Sequence, residues 1–131
     1  TFIKQALEGS PITIFGDGTQ TRSFCHVNDI IYSFDSLFEN PNTFGNIYNV
    51  GNDMSITIQD LALLIKKMTN SSSELQYIPF QKAYDFDYQE TWSRKPSLLK
   101  IKEAIGYSPK YSLEETLKEI IIFKKDKEAS I

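Results

Sequence analysis

The sequence predicts an α/β fold in which helices outnumber short strands. Apolar residues at helical spacing, for example Ile58, Leu61 and Ile65, recur in separate segments of the chain. Between these segments stand short runs rich in β-branched and aromatic residues, such as 11–15 and 75–80, which are bounded by glycine, proline or serine. Because helical segments separate the strand candidates, the fold class is mixed α/β.

The order of the elements follows from these patterns. Helices are predicted at 2–7, 29–38, 58–68, 98–105 and from Leu113 onward. Strands are predicted at 11–15, 22–27, 47–50 and 75–80. A glycine turn at 16–18 joins the first two strands, so these two are expected to form a hairpin-like unit. The aromatic and acidic stretch 83–92 has no clear period and is predicted to be a loop.

Several helix ends carry capping residues. Ser112 with Glu115 matches the capping box, in which each side chain bonds the backbone N–H of the other residue. Thr57 with Asp60 resembles one, although aspartate replaces the usual glutamate. The remaining predicted caps and stops are Gly9, Asn28, Ser97 and Gly106.

Charge and cysteine content argue against several classes of function. The net charge is −3 and the basic residues are dispersed, so no nucleic-acid partner is expected. Cys25 and His26 are the only residues of their types, so an internal disulfide is impossible and a metal site would lack its usual ligands. No apolar run approaches about 20 residues, so no membrane partner is expected, and a reducing, cytoplasmic setting fits.

Three segments of the chain carry motifs of one family. They read PITIFGDGTQTRSFCHVND over 11–29, YNVGN over 48–52, and RKPS over 94–97 followed by GYSPKYSLEE over 106–115. In this order and spacing they resemble the extended short-chain dehydrogenase/reductase family, in its group of UDP-glucuronate decarboxylases, nucleotide-sugar 4-epimerases and dTDP-glucose 4,6-dehydratases. The stretch IPFQKAY over 78–84 is similar to some epimerase-like members.

The resemblance implies the C-terminal, substrate-binding portion of an extended Rossmann-type protein. The implied ligand is a nucleoside diphosphate sugar, either UDP- or dTDP-linked. The implied full-length enzyme uses NAD to oxidise a sugar hydroxyl, usually at C4, to a transient keto-sugar that is then epimerised, dehydrated or decarboxylated. Because family members are commonly dimers, a homodimer is expected for the full-length protein.

The resemblance also implies roles for two arginines. Arg22 lies in the "Q-x-R" part of the first motif and is expected to bind the diphosphate, which a planar guanidinium can grip through two hydrogen bonds. Arg94, in the third motif, is expected to reach the nucleotide. The alternative for each is a surface arginine. Ser97 stands where the family motif has aspartate, which favours a capping role for that position.

Four further positions match the family's nucleotide contacts. Thr13 and Phe15 correspond to positions whose backbone groups pair with the pyrimidine base, although their side chains could simply be core. Gln20 is expected to bond the ribose or its neighbour; the alternative is that it is only a turn residue. Asn49 is expected near the sugar or nucleotide; the alternative is a structural role at the end of a strand.

Other chemically capable residues are interpreted as structural. His26 is expected to be structural or exposed, and Cys25 a small buried hydrophobe. Asp85, Asp87 and Glu90 do not follow the spacing of a calcium loop, so a solvated loop is favoured over a carboxylate site.

Two features of the family do not occur in the sequence. The glycine-rich NAD fingerprint is absent, and no tyrosine has lysine four residues later. We therefore expect no catalytic, cofactor-binding or metal residue, with NAD held by a missing N-terminal half and the Rossmann domain largely missing. On this hypothesis residues 1–131 are one C-terminal sugar-nucleotide-binding domain, a fragment that is inactive alone. In the family the helix after Asn28 and the 48–50 strand pack on the Rossmann sheet, so the fragment is expected to expose apolar surface. The alternative is a non-catalytic sugar-nucleotide-binding or regulatory module.

Overall fold

The computed structural model describes residues 1–83 and 91–128, and the predicted α/β class is confirmed. In chain order the helices α1 to α6 are Phe2–Glu8, Val27–Glu39, Ile58–Thr69, Phe80–Ala83, Leu99–Ile105 and Leu113–Glu128. The strands β1 to β5 are Ile12–Phe15, Thr21–Ser23, Ser55–Thr57, Leu75–Ile78 and Ser93–Arg94. One turn of 3₁₀ helix, Pro41–Thr43, follows α2.

The chain divides into two compact units. Unit 1 comprises Thr1–Arg22, Ile56–Ser93 and Leu117–Ile131. Unit 2 comprises Ser23–Ser55 and Arg94–Thr116.

Unit 1 is organised around the parallel pairing of β1 with β4. Ile12 lies opposite Leu75 and Ile14 opposite Tyr77, and both isoleucines are completely buried. A parallel pair of strands requires a long crossover connection, and helix α3 is part of the chain that connects β1 with β4. Helix α3 buries Leu61, Ala62 and Ile65. Helix α1 packs on α3.

The predicted hairpin between the first two strands is wrong. The backbone N–H of Gly16 donates to the carbonyl of Ile78 at 2.8 Å, so β1 continues its pairing with β4 up to the turn. Strand β2 belongs instead to a three-stranded sheet with the order β3-β2-β5. The glycine turn therefore leads the chain from one sheet to another rather than back along β1.

The predicted N-cap of α2 is also wrong, because His26 rather than Asn28 caps the helix. His26 has extended backbone angles, and its Nδ1 accepts a hydrogen bond from the Asn28 N–H at 3.1 Å. The imidazole is buried and stacks on the ring of Tyr111 with a centroid distance of 4.1 Å. The expectation that this histidine is structural is thereby confirmed.

A buried carboxylate organises unit 2. Asp29 is 1% exposed, and its two oxygens accept from the backbone N–H groups of Lys110 at 3.0 Å and Tyr111 at 3.4 Å. These bonds hold the segment after α5 on the first turn of α2. Burying a carboxylate is costly unless hydrogen bonds compensate, and here two amide donors do so.

Tyr107 is buried beside this carboxylate. Its hydroxyl donates to the carbonyl of Gly51 at 2.6 Å, and the sulfur of Cys25 lies 3.7 Å away. Burial raises the pKa of Tyr107 well above its usual range, and the neighbouring Cys25 adds to the shift. Burial likewise raises the pKa of the half-buried Cys25 thiol.

Two further predictions of secondary structure are wrong. Residues 47–50 form no strand; Tyr48 lies under the Lys100 ammonium, and Asn49 Nδ2 donates to the Ser97 carbonyl at 3.5 Å. Side-chain contacts, rather than hydrogen bonds to a neighbouring strand, therefore hold residues 47–50. Helix α5 starts after Leu98 without a side-chain cap, so Ser97 is not its N-cap.

The capping box at Ser112 is confirmed, whereas Thr57 is an N-cap with half of the box. Thr57 Oγ1 accepts from the Asp60 N–H at 3.0 Å, but Asp60 Oδ2 accepts from the Thr57 hydroxyl rather than from the Thr57 N–H. Ser112 Oγ accepts from the Glu115 N–H at 3.2 Å. Glu115 in return accepts from the Ser112 N–H at 2.8 Å, and this hydrogen bond holds the pKa of Glu115 below its usual value. Within the described residues, no helix combines the length and apolar character needed to cross a membrane.

We expect Tyr107→Phe to lower the free energy of unfolding by about 1–3 kcal/mol, because the buried Gly51 carbonyl loses its donor. The raised pKa favours the neutral phenol, so wild-type stability should fall as pH rises above 10.0, the ordinary value, and the variant should lack this component. Urea unfolding monitored by circular dichroism tests both, with Tyr48→Phe as control. Equal stability of Tyr107→Phe and Tyr48→Phe would contradict a stabilising hydrogen bond from Tyr107 to Gly51.

We expect Glu115→Gln to remove part of the acid sensitivity of the fold. The lowered pKa of Glu115 contributes stability above its ordinary value of 4.5, and this contribution is lost as pH falls through the folded-state pKa. Thermal unfolding between pH 3 and pH 7 measures the difference. The neighbouring exposed Glu114→Gln serves as a control and should keep the wild-type pH profile.

Candidate functional site

One edge of β1 presents backbone groups away from β4. The Ile12 N–H donates to Glu74 O and the Gly16 N–H to Ile78 O, so Thr13 and Phe15, which alternate with them, direct their N–H and C=O groups to the opposite edge. The family resemblance implied that backbone groups of these two residues pair with a pyrimidine base.

Two glutamine amides meet that edge. Gln5 Nε2 donates to Thr13 Oγ1 at 2.9 Å, while Gln5 Oε1 accepts from the Thr13 N–H at 3.3 Å. Gln20 Nε2 donates to the Phe15 carbonyl at 2.8 Å. A side-chain amide offers a neighbouring donor and acceptor, so each can pair with a backbone edge.

Gln20 is the most deeply buried of the predicted site residues. It is 4% exposed, and its Oε1 is enclosed with no hydrogen-bond partner among the described residues. Buried polar atoms are normally paired, so an unsatisfied amide oxygen requires an explanation such as a water or a ligand. Its backbone carbonyl accepts from the Ile58 N–H at 3.0 Å, which anchors Gln20 to the start of α3.

Arg22 follows on β2, and its guanidinium is anchored by backbone carbonyls. Nη1 donates to Thr21 O at 2.7 Å and to Thr91 O at 2.8 Å. The Thr21 N–H donates to Trp92 O at 2.8 Å, so the segment before β5 runs beside this part of β2. The cation is half-buried and held in one orientation, as a bidentate anion contact requires.

The glycine turn between Phe15 and Gln20 requires its two glycines. Gly16 and Gly18 have φ values of 75° and 79°, which L-residues rarely adopt. A Cβ at Gly18 would lie 3.0 Å from Gln59 Cβ and 3.2 Å from Ile14 Cγ2. An open cavity of about 450 Å³ beside the turn is lined by Gly16, Asp17, Gln59, Tyr77 and Pro79.

Unit 2 brings the second and third motifs together. Asn49 contacts Ser97 as described, and a Cβ at Gly51 would lie 3.1 Å from Pro96 Cγ. Arg94 is exposed, and its carbonyl accepts from Ser23 Oγ at 3.4 Å. An open cavity of about 460 Å³ is lined by Asp53, Lys95, Pro96, Ser97, Leu98, Leu99 and Lys102.

The predicted site residues thus fall into two groups. Unit 1 contains Thr13, Phe15, Gln20 and Arg22, and unit 2 contains Asn49 and Arg94. The positions interpreted as a solvated acidic loop, together with Tyr84, lie outside the described residues; they are Asp85, Asp87 and Glu90.

Three residues that contact this region escaped the sequence analysis. Gln5 pairs with Thr13, Gln59 packs on Gly18, and the ring of Phe80 lies against Gly16. In the sequence, Gln5 is marked only as a polar residue among the apolar residues of α1, which does not predict its contact with Thr13. For Gln59 and Phe80 the glycine pair indicates a close approach, but it does not identify the approaching residue.

Helix α2 carries an exposed apolar stripe, as expected. The exposed side chains share one face at spacings of three and four residues. They are Val27, Ile31, Phe34 and Phe38, with exposures of 63%, 51%, 66% and 83%.

Comparisons with known proteins agree with the motifs. The model of the NAD dependent epimerase/dehydratase family matches residues 1–51. UDP-N-acetyl-alpha-D-glucosaminuronate decarboxylase from Bacillus cytotoxicus is 38% identical, over 92% of this chain and 37% of the relative. UDP-glucuronic acid decarboxylase 5 from Arabidopsis thaliana is 40% identical, over 88% of this chain and 32% of the relative.

A solved structure has the same fold. The UDP-glucuronic acid 4-epimerase from Bacillus cereus, in complex with UDP-glucuronic acid and NAD, matches with a TM-score of 0.83 and 29% identity, over 95% of this chain and 38% of the epimerase. Residues 1–51 match the NAD-dependent epimerase/dehydratase family, the rest of the chain is similar to enzymes of the same kind, and the chain spans about a third of the length of the curated relatives it matches.

The sequence contains neither the dinucleotide fingerprint nor the tyrosine–lysine pair of the family, and of the residues that line the two cavities described above only Gly16, in the GDG turn, is a glycine.

We expect Gly18→Ala to destabilise the protein more than Gly9→Ala. Both glycines have positive φ, at 79° and 71°, so each variant carries the strain of the left-handed conformation, about 1 kcal/mol. Only Gly18 has close neighbours, whereas a Cβ at Gly9 meets nothing within 4 Å. Chemical unfolding of both variants gives the comparison, and equal losses would contradict tight packing of the turn on α3.

Proposed function

We propose that this chain is the sugar-nucleotide-binding portion of an NAD-dependent enzyme that decarboxylates a UDP-linked uronic acid. The names of the two curated relatives favour this substrate class and reaction. Oxidation at C4 gives a ketone β to the C6 carboxylate, so the carbonyl can accept the electron pair released when CO₂ leaves. The transient 4-keto sugar is then reduced, and NAD is held outside these 131 residues.

The buried amide of Gln20 carries the nucleotide-binding part of this proposal. Its Oε1 lacks a partner among the described residues, and its Nε2 is already engaged by the Phe15 carbonyl. Because this oxygen is enclosed, the amide has to turn before a ribose hydroxyl can reach it, and the new hydrogen bond would then remove a desolvation penalty of about 1–3 kcal/mol. The sequence motif and the geometry therefore favour the same residue as a ligand contact.

The remaining roles follow the chemistry of UDP. We assign the diphosphate to Arg22, whose planar guanidinium can bind two phosphate oxygens at once. The pyrimidine base pairs with backbone groups of Thr13 and Phe15 on the β1 edge that faces away from β4, where Gln5 already binds the Thr13 N–H and Gln20 the Phe15 carbonyl, so the base either exchanges with these amides or uses the other backbone groups. Arg94 and Asn49 contact the nucleotide or the sugar. A thymine base offers the same pairing edge as uracil, so dTDP is the alternative nucleotide.

The apolar stripe on α2 fits a role within a larger enzyme. Large exposed apolar patches mark contact surfaces in folded proteins. Since the relatives are about three times longer than this chain, we propose that the rest of the enzyme covers the stripe.

We expect Arg22→Ala to weaken UDP binding by about 10- to 100-fold, which corresponds to the loss of a charge-assisted contact of about 1.5–3 kcal/mol. Arg22→Lys should recover only part of the affinity, because lysine keeps the charge but loses the planar fork. Calorimetric titration of the full-length protein with UDP and dTDP provides the measurement.

The control for this titration is Lys67→Ala, which removes an exposed cation from α3 in unit 1. It should bind UDP like the wild type. If Arg22→Ala and Lys67→Ala bind equally well, Arg22 is not the diphosphate ligand. If the wild type binds neither UDP nor dTDP, the proposed function is wrong.

A further inference from the structure

The ring of Phe80 lies directly against the backbone of Gly16. A Cβ at position 16 would lie 2.5 Å from Phe80 Cζ and closer still to Cε2, so a residue larger than glycine would have to displace the ring. Phe80 is the first residue of α4 and is half-buried. The Gly16 N–H is fixed at the same place by the Ile78 carbonyl at 2.8 Å.

The other end of the turn is fixed by α3. The Gln59 N–H donates to the Gly18 carbonyl at 3.0 Å, and the Gln59 side chain packs where a Cβ at Gly18 would stand. The hydroxyl of Tyr77 donates to Gln59 Oε1 at 2.8 Å, so β4 and α3 are tied to each other beside the turn. The turn is thus held from two sides that are themselves connected.

The position of this turn determines the geometry on both sides of it. Phe15 precedes the turn and Gln20 follows it, and the Gln20 amide bonds the Phe15 carbonyl across it. A shift of Gly16 would move the Phe15 carbonyl and the unpaired Gln20 oxygen relative to each other. Displacements of about 1 Å in a binding site can cost about 100-fold in function.

We propose that Phe80 is a positioning residue for nucleotide binding, which acts by fixing the Gly16–Gly18 turn and with it the Phe15 carbonyl and the Gln20 amide. Phe80 itself need not touch the nucleotide. This inference rests on the proposed function, because it assumes that the turn lies at the nucleotide site.

A double-mutant cycle in the full-length protein tests the inference. Phe80→Ala should weaken UDP binding at least about tenfold, because the turn loses its support. Gly16→Ala should weaken it further, because the new Cβ overlaps the ring. In the double variant Gly16→Ala/Phe80→Ala the overlap is gone, so UDP affinity should exceed that of Gly16→Ala alone. The backbone strain at position 16 is common to both Gly16→Ala backgrounds and cancels in the cycle.

NAD affinity, measured on the same variants, separates positioning from general loosening of the fold. Local displacement of the turn lowers UDP affinity and leaves NAD affinity unchanged, whereas a loosened protein loses both. Phe123→Ala removes an exposed phenylalanine of α6 and is the matched control. Phe80→Leu removes the ring that covers Gly16 but keeps apolar volume, so it should also lower UDP affinity, and it supplies a second variant if Phe80→Ala does not fold.

The outcomes distinguish the two proposals. A wild type that binds neither UDP nor dTDP overturns the proposed function and this inference together. A wild type that binds UDP, with Phe80→Ala and Phe80→Leu of unchanged UDP affinity, overturns the positioning role alone. Purely additive effects of Gly16→Ala and Phe80→Ala on UDP affinity, or a parallel loss of NAD affinity, also overturn it.

Discussion

The parallel pairing of β1 with β4 is the constraint on which unit 1 depends. It buries Ile12 and Ile14 completely, and it directs the backbone of the intervening residues to the opposite edge. It also ends at the Gly16–Ile78 hydrogen bond, which fixes where the turn begins. The core and the candidate nucleotide edge are therefore two sides of one strand, and a slip of one residue in register would exchange them.

Unit 2 depends on hydrogen bonds to buried groups rather than on a strand ladder. Asp29 receives two backbone N–H groups from the segment after α5, and Tyr107 from that segment donates to Gly51. These bonds connect parts of the chain more than 50 residues apart. They allow the loop of the second motif to be ordered without strand pairing, and it is this loop that carries Asn49.

Local signals predicted the features that depend on neighbouring residues. The capping box at Ser112, the N-cap at Thr57 and the glycine helix ends were correct because a few adjacent residues determine them. The pairing partner of β2 was not predicted, because strand partners lie far along the chain. His26 displaced Asn28 as the N-cap through its stack on Tyr111, which no local pattern indicates. For the candidate site, the motifs predicted Gln20 and Arg22, but the contact between Phe80 and Gly16 spans 64 residues and no spacing in the sequence indicates it.

The two carbonyl contacts of Arg22 have an entropic consequence. A free arginine side chain carries about 2 kcal/mol of rotamer entropy, which an anion must remove when it immobilises the guanidinium. Here Thr21 and Thr91 already restrict the group in the folded chain. Part of that ordering therefore takes place during folding, and a ligand that reaches Arg22 encounters a preorganised cation and loses correspondingly less of its binding energy to ordering it.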